Sequence, residues 1–473
     1  MSERKMESIE RAFKEKGEFV VSNPWTGEVA HKVRPSGEAA VVRAAKIAKQ
    51  AFYRYEKATI HERTAWIIGA ARVLDDKASL LADLTVAHIG KPRRAAEMEV
   101  RRSIAFVRAC AEHIHALSGE TIPLDTVPAG KGLLGFSRRI PYGVVAAITP
   151  FNAPSNLLVQ KVAPALITGN AVIIKPCLEG TQIAKVIAEA FVEGGLPSDL
   201  IHVVEGDREE ALSLAAHPEV DVVTLTGGTA AGDALARAAG AKRFLGELGG
   251  NSANIVAADC KLDDAVARLI PSSLEASGQQ CISTQRIIVA TQIFDSFLEK
   301  FVDAARRLKV GDPSLPGTDL GPVVNLRAAT RIRSLLDDAR ARGCRIVTTG
   351  EIEGCVIPPT IVIEPPADTR LIKEEIFGPV VVIMRAADLQ NAIDIANDCQ
   401  FGLQASCFTT SLSSAMKVSE ELRAGSIWIN EASRFRLDNY PFGGVGRSGV
   451  GREGLPYALE EYTQLKFTGL RLV

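Results

Sequence analysis

The chain has 473 residues, 47% hydrophobic and 23% charged, with 55 basic and 56 acidic side chains for a net charge of -1. This is the composition of a soluble globular protein, and the near-zero charge excludes a strong field that would draw the chain to nucleic acid or a membrane surface. The length exceeds what one hydrophobic core serves, so two or three domains are expected.

The N-terminus, MSERKMESIERAFKEKGEF, is charged and lacks the apolar centre of a secretory signal. No apolar run approaches the roughly 18 to 20 residues that span a bilayer, so a cytoplasmic location is expected. Eight cysteines are scattered at Cys110, Cys177, Cys260, Cys281, Cys344, Cys355, Cys399 and Cys407. None forms a C-x-x-C pair, which excludes zinc and thioredoxin-type chemistry; no metal is expected, and in a reducing compartment most are small buried hydrophobes.

In chain order, residues 39–52 (AAVVRAAKIAKQAF) read as an amphipathic helix. A projecting hairpin is expected over 121–139, around PAGKG. Residues 143–148 (GVVAAI) read as a buried strand, with a proline-punctuated loop after it, and 157–167 as a helix. Strands are expected at 170–175, 201–204 and 220–226, with helices at 183–193 and 232–239. This β-α-β rhythm is that of a doubly wound dinucleotide-binding sheet. A second α/β unit starts near Gly249, with helices expected at 263–276, 292–308 and 326–342. The last stretch, QLKFTGLRLV, reads as an edge strand, and such an edge usually pairs with something.

Six stretches could carry chemistry. In TPFNAP, Asn152 leaves a buried strand where open α/β sheets present their sites, and its amide could donate to a developing oxyanion; taken alone it is better explained as a turn residue between prolines. In GELGGNSANIV, Glu247 stands beside Gly249 and Gly250, where a carboxylate could act as a base or merely precede a turn. TGGTAAG places Gly227, Gly228 and Gly232 between a strand and a helix, where phosphates could meet the helix N-terminus, although it is not G-x-G-x-x-G. In KEEIFGPVV, Glu375 and Phe377 are candidates for ribose and ring contacts. NYPFGGVGRSGVGREG is dense in glycine, and SGQQCIS holds Cys281.

Together and in this order, TPFNAP, IIKP, TGGTAAG, ELGGN, GQQC, EEIFGP and PFGG..RSG.GREG resemble the aldehyde dehydrogenase superfamily over nearly the whole chain, from NPWTGE at Asn23 to the C-terminal strand. The resemblance implies an α/β subunit of three parts. These are a dinucleotide-binding domain (1–120 and 140–248), a catalytic domain (249–445) and a β oligomerisation arm (121–139 and 446–473), within a homodimer or homotetramer. It implies that Cys281 is the nucleophile, Glu247 the general base and Asn152 the oxyanion donor. Lys175 matches the lysine that reaches the adenosine ribose, Glu375 the carboxylate on the nicotinamide ribose, and Phe377 packs near the nicotinamide. The implied cofactor surface also takes in Ile148, Thr149, Pro150, Phe151, Leu178, Gly206, Thr226, Gly227, Gly228, Gly232 and Leu248.

Two departures bear on this reading. Leu178 stands where NAD-preferring relatives often carry a ribose-gripping Glu, with Glu179 one position later, which tilts the expected cofactor, NAD or NADP, toward NADP. Gly446 replaces a common Lys. Arg102 matches an anion-binding arginine of relatives that act on phosphorylated or carboxylated aldehydes, and Arg434 and Arg436 lie in the loop at the substrate mouth. Gln280, before the nucleophile, adds no charge. The expected substrate is therefore a short polar or anionic aldehyde, oxidised to its acid. The alternatives are a coenzyme-A-acylating semialdehyde dehydrogenase, which lacks the Glu base, and an esterase-type or non-catalytic protein on the same fold.

Overall fold

The computed structural model describes residues 14–15 and 17–472. The N-terminal stretch read above as lacking a signal lies mostly outside them.

Among these residues, one six-stranded sheet runs Gly449–Val450, Arg243–Glu247, Val222–Thr226, Val144–Thr149, Ala171–Pro176, Ile201–Val203. Its last five strands are parallel and only the short Gly449–Val450 edge is antiparallel. The central strands VVAAIT and AVIIKP are buried at every position, as strands covered on both faces require. Chain order reverses between Val144–Thr149 and Val222–Thr226, so a crevice opens at the carboxyl ends of these strands. The helix Asn156–Ile167 leaves that crevice buried along its whole length.

The second sheet has seven strands, Arg345–Thr348, Thr360–Ile363, Val380–Ala386, Thr284–Ala290, Ser252–Val256, Gln404–Phe408 and Ser426–Ile429, parallel except at the Arg345–Thr348 edge. The first sheet and its helices share one hydrophobic core, and the second sheet packs three smaller ones. A third sheet joins Thr121–Ile122, Leu133–Pro141 and Thr463–Arg471, all antiparallel, with Phe136 opposite both Thr121 and Thr468. The hairpin over 121–139 and the C-terminal edge strand thus pair with each other.

Three expectations need adjusting. The helix read over 263–276 ends at Leu274, because Ala276, Ser277 and Gly278 take left-handed backbone angles. The helix read over 292–308 is Phe294–Arg306, entered through a tight turn at Thr291–Ile293. The segment 446–473 does not act as one arm. Gly449–Val450 edges the first sheet, and Leu455, Leu459 and Tyr462 lie in the first core; only Thr463–Arg471 joins the third sheet. Apolar side chains at 455, 459 and 462 are buried only by turning back onto that core.

Candidate active site

Glu247 is the last residue of its strand in the first sheet, and Ser252 is the first residue of a strand in the second. The chain therefore passes in four residues from the carboxyl edge of one sheet to the amino edge of the other. A β-carbon at Gly250 would collide with the Cys281 carbonyl oxygen, and one at Gly249 would meet the Glu375 carboxylate at 2.7 Å. Gly250 N–H donates to Glu375 Oε1 (2.9 Å), and its carbonyl accepts from Gln285 Nε2 (3.1 Å). Buried Arg286 closes the junction by donating to the Asn251, Ile395 and Ala396 carbonyls.

Cys281 enters this junction on a strained loop. Ala276 and Ser277 hold φ values of 53° and 56°, outside the range that side chains other than glycine favour. Ser277 Oγ donates to the Gly321 carbonyl (2.8 Å), and Gln279 Oε1 accepts from Val324 N–H (3.0 Å). A β-carbon at Gly278 would overlap the Gly378 carbonyl, so the Cys281 loop and the EEIFGP loop touch backbone to backbone. Phe377, also at positive φ (53°), meets Phe151 edge to face at 5.7 Å. Arg331 holds this loop through the Glu375 and Ile376 carbonyls.

Burial pushes the Cys281 thiol up to about 12, with Glu375 and Glu247 adding to the shift and Arg436 opposing it. Burial also raises the Glu247 carboxyl well above the usual carboxylate range, and nearby Glu453 adds to this. Glu247 Oε2 is buried without a hydrogen-bond partner. Asn152 is buried in the loop after Val144–Thr149. Sequence reasoning missed the groups around Glu247. Lys161 pairs with Glu453 (3.0 Å), and Gln160 Oε1 accepts from Arg436 (2.6 Å). The available signal was a lysine beside a glutamine in the otherwise apolar run NLLVQKVAPALI.

On the other side of the crevice, Lys175 is buried at the end of its strand; burial lowers its ammonium from the usual lysine range while Asp207 opposes the shift. Gly228 precedes the helix Thr229–Ala239 and faces open space, Thr226 Oγ1 is buried without a partner, and Gly232 packs against Leu248 where a side chain would not fit. Ile148 and Thr149 end their strand, with Pro150 and Phe151 after them, while Leu178 and Gly206 lie beyond the two neighbouring strand ends. A buried orphan hydroxyl beside an open helix N-terminus fits the phosphates of a dinucleotide.

The three arginines are not free forks. Arg102 grips Asp438 (2.6 and 3.1 Å), Arg434 pairs with Glu275 (2.5 Å) and Gln280 (2.8 Å), and Arg436 pairs with Glu453 (2.9 Å) over the Phe442 ring. Arg436 is nearly buried, and its Nε has no partner.

Residues 12–468 match the aldehyde dehydrogenase family. The chain is 35% identical to the 3-sulfolactaldehyde dehydrogenase of Priestia aryabhattai over 455 residues, covering 96% of this chain and 94% of that one. It superposes on aldehyde dehydrogenase 21 of Physcomitrella patens, solved with succinate, at a TM-score of 0.93 and 32% identity, covering 96% and 95% of the two chains. A glyceraldehyde-3-phosphate dehydrogenase of Methanocaldococcus jannaschii, solved with NADP, gives a TM-score of 0.91 at 33% identity, covering 97% and 100%. The chain belongs to the aldehyde dehydrogenase family, and as such it is an NAD- or NADP-dependent enzyme that oxidises aldehydes to carboxylic acids.

Gly278→Ala should lower kcat/KM by about tenfold or more, because the added carbon forces apart two loops that meet at the backbone. A native far-ultraviolet spectrum with unchanged kcat/KM would contradict this.

Proposed function

We propose that Cys281 is the nucleophile, Glu247 the base and Asn152 the oxyanion donor, and that the substrate is a short polar or anionic aldehyde. The observation that carries the catalytic assignment is the unpartnered, base-shifted Glu247 carboxylate at the same sheet junction as Cys281. Glu247 takes the thiol proton, directly or through water. The Cys281 thiolate adds to the aldehyde carbon, and the new oxyanion is held by the Asn152 amide and the Cys281 backbone N–H. The oxidised nicotinamide, when bound, supplies the hydride acceptor. Lys175, Glu375 and the Gly227–Gly228 turn would hold that cofactor, with Phe377 beside its ring. An acyl thioester then remains on Cys281. Glu247, having released its first proton to solvent, deprotonates a water; the hydroxide adds to the thioester carbon, the C–S bond breaks, Glu247 returns the proton to the Cys281 sulfur, and the acid leaves.

Cys281→Ala should abolish oxidation. Glu247→Gln should retain a single burst of reduced cofactor and lose turnover, and normal turnover in that variant would refute the base. Because the raised Glu247 carboxyl becomes a base only as pH climbs through its own titration, the acid limb of kcat should lie above the ordinary carboxylate range.

The substrate class is supported by the cluster of Arg102, Arg436 and Gln160 around Asp438 and Glu453, where Arg436 keeps a buried donor unused. The relatives' names point the same way, to sulfolactaldehyde, to glyceraldehyde 3-phosphate and to a succinate complex. NADP is favoured over NAD because Leu178 bears no carboxylate, and the neighbouring Glu179 carboxylate is taken up by Asn325 Nδ2 (2.8 Å). Glyceraldehyde 3-phosphate, lactaldehyde, succinate semialdehyde and propanal should therefore be assayed with both cofactors. Arg102→Ala should raise KM for the anionic aldehydes about ten- to a hundredfold more than for propanal. Equal effects would remove the anion assignment, and a strong NAD preference would remove the cofactor one.

The third sheet exposes Leu465 and Phe467 on one face and the opposed pair Leu134 and Leu470 on the other, with exposed Leu472 just past the strand Thr463–Arg471. Exposed apolar side chains at a sheet edge mark an interface. We place a dimer or tetramer contact there, and a monomeric mass by light scattering would exclude it. All eight cysteines are unpaired, which suits a reducing cytoplasm, and no helix among the described residues is long and apolar enough to cross a membrane.

A further inference from the structure

Two histidines outside the proposed chemistry lie against the Leu178–Glu179 backbone, just past the strand that ends in Lys175 and Pro176. His31 sits on the strand Val29–Val33, and His88 near the end of the helix Ala78–Ile89. Their rings stack with centroids 4.4 Å apart at a 35° tilt. His31 Nε2 lies 3.1 Å from the Leu178 carbonyl oxygen, and the Glu179 carbonyl faces His88. Each ring keeps a buried Nδ1 with no hydrogen-bond partner.

The chemistry of this arrangement is constrained. A carbonyl oxygen only accepts, so His31 Nε2 must carry the proton and donate. A second proton on the buried, unpartnered Nδ1 would leave a charge without a counterpart. The charged groups that face His31, Lys185 and Glu205, are already paired with each other (2.5 Å). Burial lowers both rings, His88 to about 4, so the pair is neutral at pH 7. What remains is a neutral, rigid donor pressed against one carbonyl.

That carbonyl matters because of its place in the chain. Residues 178–179 follow the strand that ends in Lys175 and Pro176, and they lead into the helix Thr181–Glu193. Leu178 offers the cofactor no side-chain hydrogen bond, so the lie of this backbone decides how the ribose end is received. The same segment is tied from above by Asn325, which also caps the helix Leu326–Ala341 through Ala328 N–H (2.9 Å). That helix carries Arg331, which holds the Glu375 carbonyl.

We infer that His31, backed by the stacked ring of His88, is a positioning residue that sets the Leu178–Glu179 backbone at the ribose end of the cofactor crevice. The inference rests on the reading of Lys175 and this segment as the ribose subsite. It is tested on the full-length protein by two measurements. One is the dissociation constant of NADP+ and of NAD+ from quenching of tryptophan fluorescence. The other is the rate of Cys281 alkylation by iodoacetamide without cofactor.

His31→Phe keeps a stacking ring and removes the donor. It should weaken cofactor binding about three- to tenfold, the worth of one hydrogen bond, with alkylation changed by less than about twofold. His31→Gln returns an N–H near the Nε2 position and should restore binding to within about twofold of the parent. Should His31→Phe not fold, His31→Asn, whose amide is too short to reach the carbonyl, takes its place. Lys175→Ala is the control. If it weakens binding and His31→Phe does not, the positioning role is wrong and the ribose reading stands. If Lys175→Ala leaves binding unchanged, the ribose reading fails and this inference with it. Equal losses of binding and alkylation in His31→Phe would reduce His31 to a general stability residue and overturn the proposal.

Discussion

The carboxyl edge of one parallel sheet is joined to the amino edge of another through only Leu248, Gly249, Gly250 and Asn251. The rest of the site depends on this short crossing. It leaves Glu247 and Cys281 at one junction, and it does so with backbone atoms in contact, because no β-carbon fits at Gly250. The same device recurs where Gly278 meets Gly378, which brings the Cys281 loop onto the loop of Glu375 and Phe377. Glycine supplies these approaches because side chains would hold the backbones apart. The Asn251 and Arg286 hydrogen bonds then prevent the tight crossing from opening.

Around that crossing the protein buries charge at a cost. Lys161, Arg436 and Glu453 form an internal ion cluster that lowers the Glu453 carboxyl, mainly through Lys161 and Arg436 working against burial. Glu247 is left without a direct cation and its carboxyl rises. Two neighbouring carboxylates thus differ in basicity because one is paired and the other is not, the separation expected where acid-base work is done. Buried ion pairs of this kind rarely stabilise a fold more than apolar residues of similar size would.

Of the five non-glycine residues with left-handed backbone angles among the described residues, Glu364 and Asn430 lie elsewhere, and Ala276, Ser277 and Phe377 lie within the two loops that meet at Gly278 and Gly378. Hydrogen bonds to Gly321, Val324 and Arg331 hold them there. The mainly buried strands nearby need no such support; their apolar side chains suffice.

The amino-acid sequence by itself determined the α/β class, the order of the strands and helices, and the motif residues at strand ends, because these follow from local periodicity and from short patterns at turns. TPFNAP, ELGGN and GQQC were legible for that reason, and the family followed from their order. Tertiary structure alone decided how the arginines are used. Arg102 and Asp438, Arg434 and Glu275, and Arg436 and Glu453 meet only once distant segments pack, so an arginine that reads as a free anion fork is partly spent. The end of the helix at Leu274, the return of Leu455–Tyr462 to the first core and the stacking of His31 on His88 were hidden for the same reason. Each is set by contacts between residues far apart in the chain, and local sequence carries no record of them.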